Sequence, residues 1–424
     1  MTGEGVPQDV LRSVELIRMQ AQLRRVFTPG APVGSLELLA GRQLQIREAL
    51  RAVSQQGYHA IIYGERGVGK TSLARFIHQI WSDVAKEIDM VIAPRINCDS
   101  TDDFSSIWAK VSEEIQLIFE KRGTDWQALP DSGAFSTAIA ELEVGNATPG
   151  LVRRALDLPN HRFIVVIDEF DRLEEDSDTT RMFADTIKML SDQLVDATLI
   201  LVGVADNVDG LIREHASIDR SVVQILMPRM TPTELSQIVH NGLRAVGMTI
   251  EDDALGRITT LSKGLPHYTH LLGLHSALQA TTNQRDRVSK QDVYEGLRDA
   301  LDTMKETIGN SYYEATRSPH KDARYAEVLL ACALTEVDEL GYFSPGNVRG
   351  PLSEIRGEFQ DIPSFMRHLR EFCEERRGQV LARSKQEVRP RYRFRNPLMQ
   401  PYVLLRGVEE GRLNETLLQR AFGL

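Results

Sequence analysis

Gly64-Glu65-Arg66-Gly67-Val68-Gly69-Lys70-Thr71 follows a short apolar run over residues 59–63 and opens a helical pattern over residues 70–81. Strand, glycine-rich loop and helix in that order satisfy G-x-x-x-x-G-K-[ST] in the context that gives the pattern its meaning. The glycines let successive backbone N–H groups turn inward around a phosphate, which a chain of β-carbons does less readily. The helix opening at Lys70 adds its dipole and unpaired N–H groups to the same anion. Residues 64–71, with Ser72 beside them, are therefore the candidate nucleotide-binding residues. Lys70 is expected to reach the β- and γ-phosphates of ATP, and the Thr71 hydroxyl to ligate Mg²⁺.

About 100 residues downstream, Phe163-Ile164-Val165-Val166-Ile167-Asp168-Glu169 is a buried strand that ends in two carboxylates. Such a strand has little reason to end in two acids unless they face a ligand. Asp168 is expected to hold Mg²⁺ through water and Glu169 to polarise the water that attacks the γ-phosphate. Phe170, Asp171 and Arg172 read as structural.

Outward from these two elements, strand and helix alternate. Residues 90–93, 199–204 and 222–227 are further apolar runs, and helical patterns cover 103–119 and 179–194. Alternation of this kind implies a parallel, doubly wound α/β sheet of five strands, covered on both faces. Residues 121–159 fit the rhythm least and read as helical insertions. After Pro232 the strands stop, and four helical patterns follow at 233–246, 252–262, 266–280 and 290–301. Three more, at 323–336, 345–358 and 363–377, precede a strand–turn–strand at 380–384 and 391–394, and a short helix is expected over 413–422. At the other end, residues 8–26 form an amphipathic pattern whose stripe is Val10, Leu11, Val14, Ile17 and Ala21.

Composition bounds the function. A chain of 424 residues implies two to three domains, and a net charge of −10 excludes a histone-like, wholly basic nucleic-acid binder while leaving room for a local basic patch. Cys98, Cys332 and Cys373 lie far apart and fit neither a metal-ligand spacing nor a disulfide framework. No apolar stretch approaches the ~20 residues of a membrane span, and no signal-peptide core is present, so a cytoplasmic protein is expected.

These residues resemble the AAA+ superfamily, particularly its initiator-like branch of origin-recognition and Cdc-type ATPases and the related STAND-like signalling ATPases. The resemblance spans roughly residues 35–300, with weaker support to about 405. Leu38-Leu39-Ala40-Gly41-Arg42 is similar to the segment that lines the adenine, and Ile96-Asn97-Cys98 resembles the family's second strand. Val202-Gly203-Val204-Ala205-Asp206-Asn207 is similar to the strand carrying the polar sensor, which implies Asp206 or Asn207 near the γ-phosphate. Arg220, in His215-Ala216-Ser217-Ile218-Asp219-Arg220, stands where the family places an arginine finger for a neighbouring subunit, with Arg213 as the alternative. Gly264-Leu265-Pro266-His267 is similar to the lid motif Gly-x-Pro-Arg, with His267 in place of the arginine. The departure implies a weaker γ-phosphate ligand, slow hydrolysis and contact through Pro266, as in STAND proteins.

The implied organisation is an N-terminal extension (1–34), a nucleotide-binding core (35–230), a helical lid (231–305) and a winged helix (306–424). From Arg367 to Arg395 ten basic residues face four acids, a local charge of about +6. A third helix beside a basic wing is the arrangement that enters a major groove. Arg383, Lys385, Arg389 and Arg391 are the candidate contacts to duplex DNA. Two functions are consistent with this reading: an oligomeric ATP-driven machine acting on DNA, taken first, and a signalling switch that recruits a partner protein in its ATP state.

Overall fold

A computed structural model describes residues 8–29, 41–87, 91–125, 128–129, 132–173, 178–205, 208, 211–212, 218–304, 308–317, 324–384, 389–413 and 417. Two compact units share the chain: one is Arg42–Glu65 with Gly69–Pro228, and the other joins the described residues of Met1–Gly41 to Arg66–Val68 and Arg229–Leu424.

The chain opens with α1 (Gln8–Val26). The first compact unit then runs α2 (Gln43–Ser54), β1 (His59–Gly64), α3 (Lys70–Glu87), β2 (Val91–Ile92), β3 (Arg95–Asn97), α4 (Phe104–Arg122), α5 (Gly133–Glu143), α6 (Pro149–Ala155), β4 (Arg162–Asp168), α7 (Asp178–Asp192), β5 (Ala197–Val204) and β6 (Val222–Leu226). The strands pair in parallel in the order β2-β4-β5-β1-β6, with β3 also on β4. The expected five strands thus become six, because the second is broken. Pro94 has no N–H for the ladder, so β2 and β3 pair with the two ends of β4 on either side of it. Strand β5 lies between β1 and β4 and sets the phosphate loop and the Asp-Glu pair one strand apart.

Residues read as insertions are core. Phe135, Ile139 and Leu142 of α5 and Leu151 and Val152 of α6 are buried with Trp108, Phe119 and Phe163 in one apolar cluster.

His59 sits fully buried in β1. The Leu199 N–H donates to its Nδ1 (3.0 Å), and its Nε2 lies 3.1 Å from Ser191 Oγ, which donates to the Ile187 carbonyl. These partners need the proton on Nε2, and burial pulls the pKa down to about 3. The unfolded chain titrates near its ordinary 6.5, so between those values it binds a proton that the folded state refuses. Stability is therefore complete above about pH 6.5 and falls as the pH drops toward 3, by about 2 kcal/mol between pH 6.5 and 5. Urea unfolding at pH 7 and pH 5 should show that extra loss in the wild type relative to His59→Asn; equal losses in both would contradict it.

The second unit continues α8 (Pro232–Arg244), β7 (Thr249–Ile250), α9 (Asp252–Leu261), α10 (Pro266–Thr282), β8 (Arg287–Val288), α11 (Lys290–Met304), α12 (Asn310–Thr316), α13 (Tyr325–Leu334), α14 (Pro345–Arg356), α15 (Ile362–Glu371), β9 (Leu381–Arg383), β10 (Tyr392–Phe394) and α16 (Met399–Glu409). The four helices expected after Pro232 are α8 to α11. The strands do not stop there, because β7 and β8 form a short parallel pair. Helices α13, α14 and α15 precede the antiparallel hairpin β9–β10, and Phe343 adds a bridge to Tyr392. The helix expected at 413–422 lies almost wholly outside the described residues.

Helix α1 buries a different face from the expected one. Val14 and Ile17 are exposed, whereas Leu23 and, just past the helix end, Phe27 are buried. The Phe27 ring packs so closely on Gly242 of α8 and Gly273 of α10 that a β-carbon at either would collide with it. Small partner residues chose the face.

Candidate functional site

The phosphate loop is built where β1 hands over to α3. Gly64, Gly67 and Gly69 have φ of 144°, 87° and 98°. At Gly64 a β-carbon would lie 2.5 Å from the Met227 carbonyl oxygen, so the strand exit needs glycine for space as well as for dihedral. The Lys70 ammonium is buried and donates to the carbonyls of Gly64 (3.0 Å) and Glu65 (2.9 Å), which folds it back over the loop. Glu65 and Val68 are buried and Arg66 exposed.

Asp168 ends β4 at 2% side-chain exposure. Thr71 Oγ1 lies 3.3 Å from its Oδ1, bringing a hydroxyl and a carboxylate from the two motifs together. Among the described residues no three His, Cys, Asp or Glu side chains gather around a metal position. Hydroxyl plus one carboxylate nevertheless fits Mg²⁺, which keeps waters and leans on substrate phosphates rather than on a protein cage.

Asp168 has another partner that the strand pattern did not disclose. Arg95, two residues before Asn97 in β3, places Nη2 2.9 Å from Asp168 Oδ2. The signal was an arginine inside a short strand, which a half-buried position tolerates only with a counter-ion. The carboxylate assigned to the metal is thus already neutralised within the protein.

Glu169 adopts a left-handed backbone (φ 58°), which a non-glycine residue holds only where its surroundings impose it. Its carboxylate is 40% exposed and lies 3.1 Å from Arg172 Nε. Phe170 is buried edge-on against Phe183 (5.0 Å between centroids), and Asp171 Oδ1 accepts the Val204 N–H at 2.7 Å. Those two contacts are structural, and they tie the Asp-Glu turn to the end of β5. Asp206 and Asn207, just beyond that end, lie outside the described residues, as do Arg213, Lys385 and residues 38–40. Arg220 is 84% exposed, with only a 3.7 Å approach to Asp192, a surface pair of little energetic weight.

In the other unit, Gly41 holds a left-handed backbone (φ 64°) against the Glu234 side chain, so a β-carbon there would be strained and would push that side chain aside. Arg42, in the first unit at the N-terminus of α2, is buried with φ 62°. Pro266 occupies the first turn of α10, where a missing N–H costs nothing. Gly264 (φ 79°) lets the turn before it close on Arg229, and its carbonyl accepts the Met230 N–H. Burial pushes the His267 pKa below its usual value, helped by the Arg66 charge and opposed by a hydrogen bond to the Pro29 backbone. A neutral ring at pH 7 follows, unlike the permanent cation of the Gly-x-Pro-Arg pattern.

The basic hairpin is less free than its sequence suggests. Arg391 pairs with Asp338 at 2.5 Å, and Arg391 and Arg393 lie over the Tyr342 ring at 5.2 and 4.7 Å. Arg383 and Arg389 are exposed.

The family model described as Novel STAND NTPase 1 matches residues 35–371. An ORC1-type DNA replication protein of Thermoplasma volcanium is 22% identical over 203 residues, covering 46% of this chain and 43% of that one, so the match spans less than half of that relative. A Walker-type ATPase of Pyrococcus abyssi superposes with a TM-score of 0.52 at 16% identity, over 90% of this chain and 99% of the other. The Aeropyrum pernix ORC1 protein, solved in complex with DNA, reaches 0.48 at 17% identity, over 92% and 98%.

Proposed function

Because the chain belongs to the Novel STAND NTPase 1 family and carries the AAA+ fold, we propose that it is a slowly hydrolysing ATP switch. Mg-ATP at residues 64–72 and Asp168 sets the state of its helical C-terminal part, which engages a partner. The observation that carries this reading is the Arg95–Asp168 ion pair. The Arg95 guanidinium holds Asp168 Oδ2 and leaves Oδ1 beside Thr71, so Mg²⁺ settles against a carboxylate that is already partly neutralised, which weakens its hold and favours slow loading over rapid cycling.

Bound Mg²⁺ supplies charge neutralisation at the phosphates. The remaining work falls to side chains: Lys70 leaves the loop carbonyls for the phosphates, Thr71 and Asp168 hold the metal, and Glu169 leaves Arg172 to orient water. Gly41 and Arg42 are assigned to the adenine, and Asp206 or Asn207 to the γ-phosphate. Pro266 and the neutral His267 report the nucleotide to the lid, residues 231–305. Arg220, exposed and weakly paired, suits a finger offered to a second copy in a homo-oligomer, and residues 306–424 make up the partner-binding winged helix. Among the described residues no helix is long and apolar enough to cross a membrane.

Magnesium titration of ATP binding tests this weakening. Arg95→Ala should lower the Mg²⁺ concentration for half-maximal binding several-fold, because Asp168 no longer has a competing cation. A rise instead would mean that Arg95 positions Asp168 for the metal, and the case for slow loading would be lost.

A second reading, the ATP-gated machine on DNA, is favoured by Arg383 and Arg389, which stand exposed at the hairpin beside α15. Duplex binding there should fall steeply with salt and be lost in the Arg383→Glu/Arg389→Glu double variant. No salt-dependent binding by the wild type with ATP leaves the protein-recruiting switch as the sole function.

A further inference from the structure

A cleft of about 500 Å³ opens in the C-terminal unit between α12, the first turn of α13 and the segment that runs from the end of α15 into the 3₁₀ turn Glu375–Arg377. Its walls carry Arg317, Arg367, Arg376 and Arg377 against a single carboxylate, Glu371. Four guanidiniums face Glu371, and Arg376 also pairs with Glu374 at 2.5 Å, which leaves an excess of two positive charges about one concavity in a chain whose net charge is −10.

Glu371 is an organiser rather than a competitor for an anion. It is buried and takes the Tyr325 hydroxyl, Arg367 Nε at 2.7 Å and Arg376 Nη2 at 3.3 Å. Burial works against its charge, but the Tyr325 hydrogen bond and Arg367 prevail and hold the carboxyl below its usual range. Arg367 and Arg376 still keep side-chain exposures of 80% and 64%, and each guanidinium has more N–H donors than Glu371 and, for Arg376, Glu374 occupy. Arg377 carries its guanidinium carbon over the Tyr325 ring, 3.6 Å from its centroid, and donates to the Arg317 carbonyl, so its position is fixed in advance. Tyr313, on the rim, has a largely exposed ring. Past Arg367 the cleft continues as a groove of about 570 Å³ along α15, beside Pro363, Met366 and Arg370.

We propose that this cleft is a second phosphate site, separate from the loop at residues 64–71. It takes a phosphate attached to an aromatic base, either in a free mononucleotide or within a nucleic-acid strand. The guanidinium forks hold the phosphate oxygens, and Tyr313 offers a face for the base. None of its residues belongs to the Mg-ATP site, so the proposal does not depend on the switch.

The test uses the full chain carrying Lys70→Ala, at low ionic strength, with adenosine monophosphate and a short oligothymidylate as calorimetric probes. Adenosine monophosphate also lacks the phosphates that Lys70 reaches. At least one probe should saturate the protein and be displaced by salt. Adding Arg317→Glu should weaken that probe about tenfold or more. Adding Tyr313→Ala should weaken it roughly fivefold. Both are exposed positions, and an unchanged melting temperature confirms that the variants fold. Saturation by the mononucleotide alone identifies a free nucleotide as the ligand, and saturation by the oligonucleotide alone identifies a strand. Saturation by neither at millimolar concentration, or affinities unchanged in both variants, would overturn the site.

Discussion

Lys70→Ala should weaken ATP binding by about 100-fold or more. The ammonium is the one side-chain cation that the loop folds over its own backbone, and charge-assisted hydrogen bonds to two phosphates are worth about 3 kcal/mol together. The variant also strips a donor from the Gly64 and Glu65 carbonyls, which should cost about 1–3 kcal/mol of stability. Equilibrium binding of a fluorescent ATP analogue, read with a thermal melt, separates the two effects. Wild-type affinity in a folded Lys70→Ala protein would place the nucleotide elsewhere.

Glu169→Gln should have the largest effect on turnover. The amide keeps the shape and still accepts from Arg172, but it has no charge with which to draw a proton from the attacking water. Losing a general base lowers such rates ~10²–10⁴-fold. ATP affinity should stay within about twofold, because Glu169 is assigned no direct hold on the phosphates or the metal. Phosphate release at the wild-type rate would move the water-activating role to another residue. Asp171 is a poor candidate, since its carboxylate already accepts the Val204 amide.

The parallel sheet, its helices and the loop between β1 and α3 were legible because buried parallel strands write themselves as β-branched runs with glycine at the exits. The break in the second strand was legible only in pieces: 90–93 reads as one apolar run and Ile96-Asn97-Cys98 resembles a strand, but that both pair with one β4 shows only in the sheet. Helix α1 was placed well and turned wrongly. Val14, Ile17 and Ala21 of its apolar stripe face solvent, and the burial of Leu23 and Phe27 depends on Gly242 and Gly273 more than two hundred residues away.

The site divides the same way. Lys70, Thr71, Asp168 and Glu169 follow from two local motifs. Arg95 needed the pairing of β3 with β4, which no local pattern encodes. Charge counting misjudged the basic stretch for a similar reason. Arg391 faces Asp338, and Arg367 and Arg376 stand around Glu371 in the cleft, so part of the surplus lies away from the hairpin.

The coupling of the nucleotide to the helical part is measured most directly by hydrogen–deuterium exchange on Glu169→Gln protein, which should retain ATP long enough to compare with its ADP form. Amides of residues 264–270, and of the β9–β10 hairpin beyond them, should exchange at different rates in the two states. Identical exchange across residues 229–413 with ATP and ADP, while the loop at 64–71 is protected by both, would show a nucleotide-binding protein that does not switch.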